Sequence, residues 1–123
     1  MDDRPSFSTG LVVAVAMVVL LAVSARRPAV VPGPPCPATG VAADRLVMLS
    51  TSWCPYCRSA RAYLSDRGID FCEYDIETSD RGAALYAGSG AAGVPVFLRR
   101  GEAMHGFSQA RLQRFLAATR APR

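Results

Sequence analysis

The sequence contains no lysine and only one histidine in 123 residues. Its 14 basic residues are all arginines spread along the chain, and the formal net charge is only +4. Because no basic stripe is interleaved with aromatic residues, the composition argues against nucleic-acid binding. The single histidine, His105, is far in sequence from the paired cysteines, which disfavours a zinc site of mixed ligands. We expect His105 to be a surface residue of a strand.

Cysteine is also scarce, with four residues at positions 36, 54, 57 and 72. They are too few and too unevenly spaced for a small disulfide-stapled fold. Cys36 is flanked by prolines, and we expect a free thiol or an intermolecular disulfide there. Cys72 lies in a strand candidate and is interpreted as a small buried apolar residue. No metal is expected, since no second cysteine pair completes four ligands.

An uncharged apolar run covers Gly10 to Ala25. As a helix it would be about 24 Å long, which is short for a bilayer core of about 30 Å. Residues 1–27 are therefore predicted to be a membrane anchor or a signal segment. Arg26 and Arg27 follow the run, and the positive-inside rule then favours a cytoplasmic domain. The alternative is export after cleavage near Val23-Ser24-Ala25.

The next part of the chain, residues 28–43, is predicted to be a proline-rich linker. Pro28 to Gly40 holds five prolines and two glycines, which exclude a helix or a central strand. Residues 44–120 have the composition of one small globular domain. This domain is predicted to be a monomer.

Within the domain, hydrophobic patterns predict seven elements in the order β-α-β-α-β-β-α. The predicted strands are 46–49, 69–76, 94–98 and 103–105, and the helices start near Cys54, Ser79 and Ser108. A strand–helix–strand unit implies a parallel pair, and the last two strands share a tight turn. The fold class is therefore α/β, a four-stranded mixed sheet with helices on both faces, as in thioredoxin-like proteins.

The two central cysteines form the segment Cys54-Pro55-Tyr56-Cys57, between the first strand and the first helix. In that position Cys-x-x-Cys is typical of a redox centre. Pro55 suits the first helical position, so Cys54 precedes the helix, where unpaired N–H groups stabilise a thiolate. Cys54 is therefore the predicted nucleophile and the more buried Cys57 the resolving thiol. Tyr56 and Trp53 are expected to supply apolar surface beside the exposed Cys54 sulfur.

A second signal is Val94-Pro95, at the head of an otherwise regular strand. Proline cannot donate to a strand ladder, which makes its presence there unusual. Composition alone leaves the isomer of the Val94–Pro95 bond open, because the cis form is a small minority of X–Pro bonds.

Together, Cys-Pro-Tyr-Cys at 54–57, Val94-Pro95 and Gly106-Phe107 before the last helix resemble a glutaredoxin, over about residues 45–119. The resemblance implies a thioredoxin-like fold, glutathione as cosubstrate, and reduction of protein disulfides or glutathione mixed disulfides. It also implies a cis Val94–Pro95 bond, with the Val94 backbone beside the cysteines and available to an extended substrate. The glutathione contacts implied are Tyr56, Arg58, Val94, Pro95, Gly106, Phe107 and Ser108.

The chain also departs from this family. Glutaredoxins usually have a lysine where Thr51 stands, and an aspartate that is missing after Gly106. Arg58 or Arg81 is the expected replacement for the lysine. The Gly-Phe pair also resembles glutaredoxin-like electron donors that are reduced by thioredoxin reductase.

The function predicted from these features is a glutathione-dependent thiol-disulfide oxidoreductase, an enzyme whose partners are glutathione and disulfide-containing or glutathionylated proteins. Three alternatives stay open. They are an electron donor reduced by thioredoxin reductase, an iron–sulfur cluster module with Cys54 and glutathione as ligands, and an exported thiol oxidase or isomerase.

Overall fold

The computed structural model describes residues 7–24 and 32–122. The elements are, in chain order, α1 (Phe7–Ser24), β1 (Leu46–Ser50), α2 (Pro55–Asp66), β2 (Phe71–Asp75), α3 (Asp80–Gly88), β3 (Val96–Arg99), β4 (Glu102–His105) and α4 (Gln109–Ala118). After α1, this is the predicted order of strands and helices.

The four strands form one mixed sheet with the order β2-β1-β3-β4. β1 is parallel to β2, antiparallel to β3, and β3 is antiparallel to β4. β1 and β3 are neighbouring inner strands that run antiparallel. The loop after β1 and the loop before β3 therefore meet at the same end of the strands. These loops carry the two motifs that the sequence marked, at Cys54 and at Pro95.

Side chains of β1 alternate between the two faces of the sheet, as a strand requires. Leu46 and Met48 pack with residues of α2 and α4, including Leu64 and Leu112. Val47 and Leu49 instead pack on the other face, where Leu85 of α3 covers them. Both faces of β1 are therefore buried, and the predicted position of helices on both sides of the sheet is confirmed.

The start of β3 differs from the predicted strand, which began at Val94. The strand begins at Val96, because Pro95 has no N–H to donate to the ladder. The carbonyl of Pro95 accepts a hydrogen bond from Gly106 N at 2.8 Å. Gly106 has φ of 77°, a conformation that glycine adopts without steric cost. The Gly106-Phe107 segment is thereby held beside Pro95.

The apolar run predicted as a membrane or signal segment forms the 18-residue helix α1. None of the helices within residues 7–24 and 32–122 combines the length and hydropathy required of a membrane-spanning helix. Arg26 and Arg27 lie outside the described residues, as does Ala25 of the suggested cleavage region. The assignment of residues 1–27 stays a prediction.

Residues 32–41, which were predicted to be part of an extended linker, pack against β2. Glu73 N donates to Pro34 O at 2.8 Å and Cys36 N donates to Glu73 O at 3.1 Å, which forms a parallel bridge between Pro35 and Glu73. The Tyr74 hydroxyl donates to Pro37 O at 2.6 Å. This segment covers the outer edge of the sheet, which protects an edge strand from pairing with another chain.

A disulfide joins Cys36 to Cys72, with the two Cα atoms 4.8 Å apart. The expectation of a free or intermolecular Cys36 is therefore wrong, and so is the interpretation of Cys72 as an unpaired buried thiol. Cys72 points to the α3 face of β2, and Cys36 packs against the same core cluster. No pattern in the sequence indicated this pairing, because a proline-rich composition predicts an extended backbone but not where that backbone lies.

Replacing both residues, as Cys36→Ser with Cys72→Ala, should lower the free energy of unfolding. Cross-linking residues 36 positions apart restricts the unfolded chain, and the chain-entropy relation for such a loop gives about 4 kcal/mol, with about 2–4 kcal/mol typically measured. Urea unfolding followed by circular dichroism measures the change. A Cys54→Ser/Cys57→Ser variant, with and without reductant, is the control, and an unchanged midpoint in the Cys36/Cys72 variant would contradict the expectation.

Candidate active site

Cys54 is the N-cap residue of α2, and its backbone is extended with φ of −72° and ψ of 118°. Its Sγ accepts a hydrogen bond from Cys57 N at 3.2 Å. Pro55 takes the first helical position, as predicted. The first N–H groups of a helix have no partner within the helix. The Cys54 sulfur accepts one of them, as a serine or aspartate side-chain oxygen does at many helix starts.

Both cysteines are free thiols and both are buried. Cys57 is 0% exposed and Cys54 only 4% exposed. Burial, together with a hydrogen bond to Cys54, raises the pKa of the Cys57 thiol to about 12. Cys57 therefore keeps its proton at neutral pH. The expectation that the Cys54 sulfur is exposed needs correction, because the loop and Val94 cover most of it.

The backbone of Val94 lies directly beside the nucleophile predicted from the sequence. The Val94–Pro95 peptide bond is cis, as predicted. Cys54 Sγ lies 3.7 Å from Val94 O, within hydrogen-bond reach for a thiol. Cys54, Val94 and Pro95, which are about forty residues apart in sequence, thus form one site.

Two aromatic side chains next to the cysteines are open to solvent. Trp53 is 67% exposed and Tyr56 is 63% exposed. The indole Nε1 of Trp53 donates to Glu77 Oε1 at 2.5 Å, which fixes the ring beside the β2–α3 loop. Exposed aromatic side chains of this kind are typical of contact surfaces for a partner molecule.

The remaining predicted ligand contacts lie around this site with different roles. Gly106 is held at Pro95, and Ser108 caps α4 by accepting from Arg111 N at 3.2 Å. The ring of Phe107 packs into the core, with its centroid 5.9 Å from Tyr63 and 6.5 Å from Phe97. Only the backbone of Phe107 can therefore face a ligand.

The two arginines considered as lysine replacements are not equivalent. Arg58 is exposed on the first turn of α2, and its N–H donates to Cys54 O at 3.1 Å. Arg81 lines a cavity of about 250 Å³ together with Val47 and Arg100, at the end of the sheet where β1 begins. The thiols lie beyond the opposite end of β1, so Arg58 is the better placed of the two.

A buried charged group behind the cysteines was missed in the sequence. Arg61 of α2 and Glu73 of β2 form an ion pair whose side chains are only 8% and 7% exposed. Ser50 donates to Glu73 Oε1, and Gly33 N donates to Oε2 at 2.8 Å. A signal was present: Glu73 lies between Cys72 and Tyr74 in a strand otherwise buried on both faces, and Arg61 follows Cys57 at helical spacing.

Within residues 7–24 and 32–122, no group of three or more histidine, cysteine, aspartate or glutamate side chains is placed to hold a metal ion.

Comparison with known proteins shows what the domain is similar to. Residues 46–103 match the family model for glutaredoxin. The chain is similar in structure to a variant of the thioredoxin-like protein BC3987, with a TM-score of 0.55 and 19% identity over 62% of this chain and 97% of the other. It is similar also to glutaredoxin from Archaeoglobus fulgidus, with a TM-score of 0.51 and 23% identity over 63% of this chain and 88% of the other. No curated protein sequence matches. These likenesses confirm the predicted thioredoxin-like fold.

The buried environment of Cys57 predicts selective alkylation of the folded protein. With its pKa at about 12, only about one Cys57 in a thousand is a thiolate at pH 9. Iodoacetamide at pH 7–9 should label Cys54 and leave Cys57 unmodified, as read by fragment mass spectrometry. Denatured protein is the control and should be labelled at both residues, whereas equal labelling in the native state would contradict the assigned burial.

The same group makes stability depend on pH in the alkaline range. Because Cys57 has a higher pKa in the folded state than in the unfolded chain, its contribution is complete below about pH 8.5 and is lost as the pH rises towards 12. The free energy of unfolding of the wild type should fall more steeply above pH 8.5 than that of Cys57→Ala. Parallel curves for the two proteins would show that Cys57 titrates normally.

Proposed function

We propose that this chain, whose residues 46–103 are a glutaredoxin-family domain, is a thiol-disulfide oxidoreductase with Cys54 as nucleophile and Cys57 as resolving thiol. One observation carries the proposal. The Cys54 sulfur caps α2 by accepting a hydrogen bond from Cys57 N, and it lies 3.7 Å from Val94 O. Backbone N–H groups at a helix start favour an anion, and a thiolate is the form of cysteine that attacks disulfides.

The two cysteines divide the reaction into two exchanges. The Cys54 thiolate attacks one sulfur of a substrate disulfide, forms a mixed disulfide and releases the other sulfur as a thiolate. Cys57 then loses its proton and attacks the Cys54 sulfur, which releases the second substrate thiolate and leaves a Cys54–Cys57 disulfide. An external thiol or a reductase restores the two thiols by the reverse exchanges.

We propose glutathione as the cosubstrate, by analogy with the family. In this proposal the exposed ring of Tyr56 flanks the tripeptide, and the Val94 backbone pairs with it as a neighbouring strand would. Arg58 provides the cation next to the thiols. The backbone N–H groups of Phe107 and Ser108 lie at the start of α4, where an anionic group is favoured, while the Gly106 N–H is already donated to Pro95 O.

A coupled assay separates glutathione from the other candidate reductant. NADPH oxidation is followed in the presence of a disulfide substrate, with either glutathione plus glutathione reductase or thioredoxin reductase alone. Glutathione should support turnover. Activity only with thioredoxin reductase would overturn the glutathione assignment and leave the oxidoreductase assignment intact.

The Cys36–Cys72 disulfide favours a second candidate function, an exported thiol oxidase or isomerase. Disulfides persist in oxidising compartments and are rare in the cytosol. We therefore propose that the domain faces an oxidising compartment, against the cytoplasmic orientation favoured by Arg26 and Arg27. In this arrangement residues 10–25 act either as the membrane anchor or as the h-region of a signal segment.

Compartment determines the direction of exchange, so topology is the next measurement. Reporter fusions after residue 122 of the full chain, together with blotting for cleavage, test orientation and processing. An activity that requires export supports the oxidising location. A cytoplasmic reporter signal together with reduced Cys36 and Cys72 in cells would overturn it.

Single cysteine variants test the division of roles between the thiols. Cys54→Ser should abolish all disulfide reduction, because no nucleophile remains. Cys57→Ser should still remove glutathione from a glutathionylated peptide but lose reduction of protein disulfides, since only the second exchange needs Cys57. Equal loss of both activities in Cys57→Ser would refute this split. Cys36→Ser/Cys72→Ala serves as a control that lacks cysteines outside the active site.

A further inference from the structure

Arg61 lies directly behind the resolving thiol. It follows Cys57 by four residues on α2, so both side chains lie on the same buried face of the helix. Arg61 is only 7% exposed, which is rare for an arginine. Its cation is therefore poorly screened by water, and its effect on a neighbouring thiolate is much larger than that of an exposed arginine.

Glu73 holds the guanidinium in one orientation. Arg61 Nε donates to both carboxylate oxygens at 2.8 Å, and Nη2 donates to Oε1 at 2.5 Å. The carboxylate is itself fixed by Ser50 and by the Gly33 N–H, and the latter belongs to the segment that Cys36–Cys72 ties down. Glu73 raises the pKa of Arg61, so the cation is permanent.

The same guanidinium reaches the loop that carries Cys54. Arg61 Nη2 lies 3.3 Å from Thr51 O, and the Thr51 backbone also hydrogen-bonds to Cys57. Nη1 of Arg61 is buried and has no hydrogen-bond partner among residues 7–24 and 32–122. The N–H groups of Arg61 Nη1 are thus left unpaired by these residues, in the interior behind the thiols.

The Arg61 cation interacts electrostatically with both thiols, and more strongly with Cys57 than with Cys54. Burial has the largest effect on the pKa of Cys57 and raises it, whereas attraction by the Arg61 cation lowers it by a smaller amount. Burial alone would make the ionisation of Cys57 to its thiolate still less favourable. The cation reduces that cost without exposing the sulfur to water.

We propose that Arg61, oriented by Glu73, is a positioning residue for the second exchange, in which it stabilises the Cys57 thiolate as this attacks the Cys54 mixed disulfide. The inference rests on the proposed function. In this step Cys57 gives its proton to a solvent base and its sulfur bonds to Cys54 Sγ. The bond between Cys54 and the substrate sulfur breaks, and the substrate leaves as a thiolate that takes up a proton.

An aromatic disulfide that releases a coloured thiolate separates the two exchanges in a single turnover. The first release reports attack by Cys54, and the second reports attack by Cys57. Three variants are compared with the wild type by stopped-flow absorbance between pH 6 and 9. Arg61→Gln/Glu73→Gln removes both charges without leaving one unpaired, Arg61→Lys keeps the cation, and Arg114→Gln removes an exposed arginine on α4, away from the thiols.

The double variant should slow the second release more than the first, because the Arg61 charge interacts more strongly with Cys57 than with Cys54. Each unit by which the pKa of Cys57 rises reduces its thiolate fraction about tenfold, and the higher nucleophilicity of a more basic thiolate leaves a net slowing of about threefold. We expect at least about threefold slowing of the second release in the double variant, most of the wild-type rate in Arg61→Lys, and no change in Arg114→Gln. Equal slowing of both releases, or an unchanged second release, would overturn the inference.

Glu73→Gln gives a test of opposite sign, which also applies if the double variant fails to fold. It leaves the Arg61 charge without its counter-ion, so the second release should become faster, whereas a merely structural role of the pair predicts slowing. A slower second release in Glu73→Gln would therefore refute the proposal. Absence of the first release in the wild type would instead refute the proposed function itself.

Discussion

The arrangement on which the site depends is the cap of α2 by a sulfur atom. β1 ends at Ser50 and α2 begins at Pro55, so the helix starts at the end of the strands where Val94 also lies. A serine or aspartate there would satisfy the same N–H groups. With Cys54 in that position, one contact both caps the helix and places the sulfur of the proposed nucleophile at the helix start.

Burial separates the chemistry of two identical side chains three residues apart. The Cys54 sulfur accepts the Cys57 N–H at the helix start, while Cys57 lies inside the first turn, where burial raises the pKa of its thiol to about 12. In the proposed reaction the second thiol therefore keeps its proton until a mixed disulfide forms beside it. The Arg61–Glu73 pair lies at the same depth, where a charge has a large effect because water does not screen it.

The edge strand β2 connects the active site with the amino-terminal part of the domain. Its successive residues serve different partners: Cys72 bonds to Cys36, the Glu73 side chain binds Arg61, and Tyr74 binds Pro37 O. The domain therefore includes a segment that precedes the residues of the family match, 46–103. Packing of the segment around residues 33–37 against β2 both covers this edge strand and fixes the Glu73 carboxylate behind the two thiols.

Local patterns in the sequence by themselves determined the order of the elements, the two-sided burial of β1 and the start of α2 at Pro55, whereas the proximity of Cys54 and Pro95 was expected from the family resemblance. The first three follow from side-chain periodicity and from the backbone limits of proline, which act within a few residues. Tertiary structure alone decided that Cys36 reaches Cys72, that Glu73 turns inward to Arg61, and that the Phe107 ring fills the core. Those contacts join residues far apart in the chain, and their energy depends on which surfaces meet after folding, which no local pattern specifies.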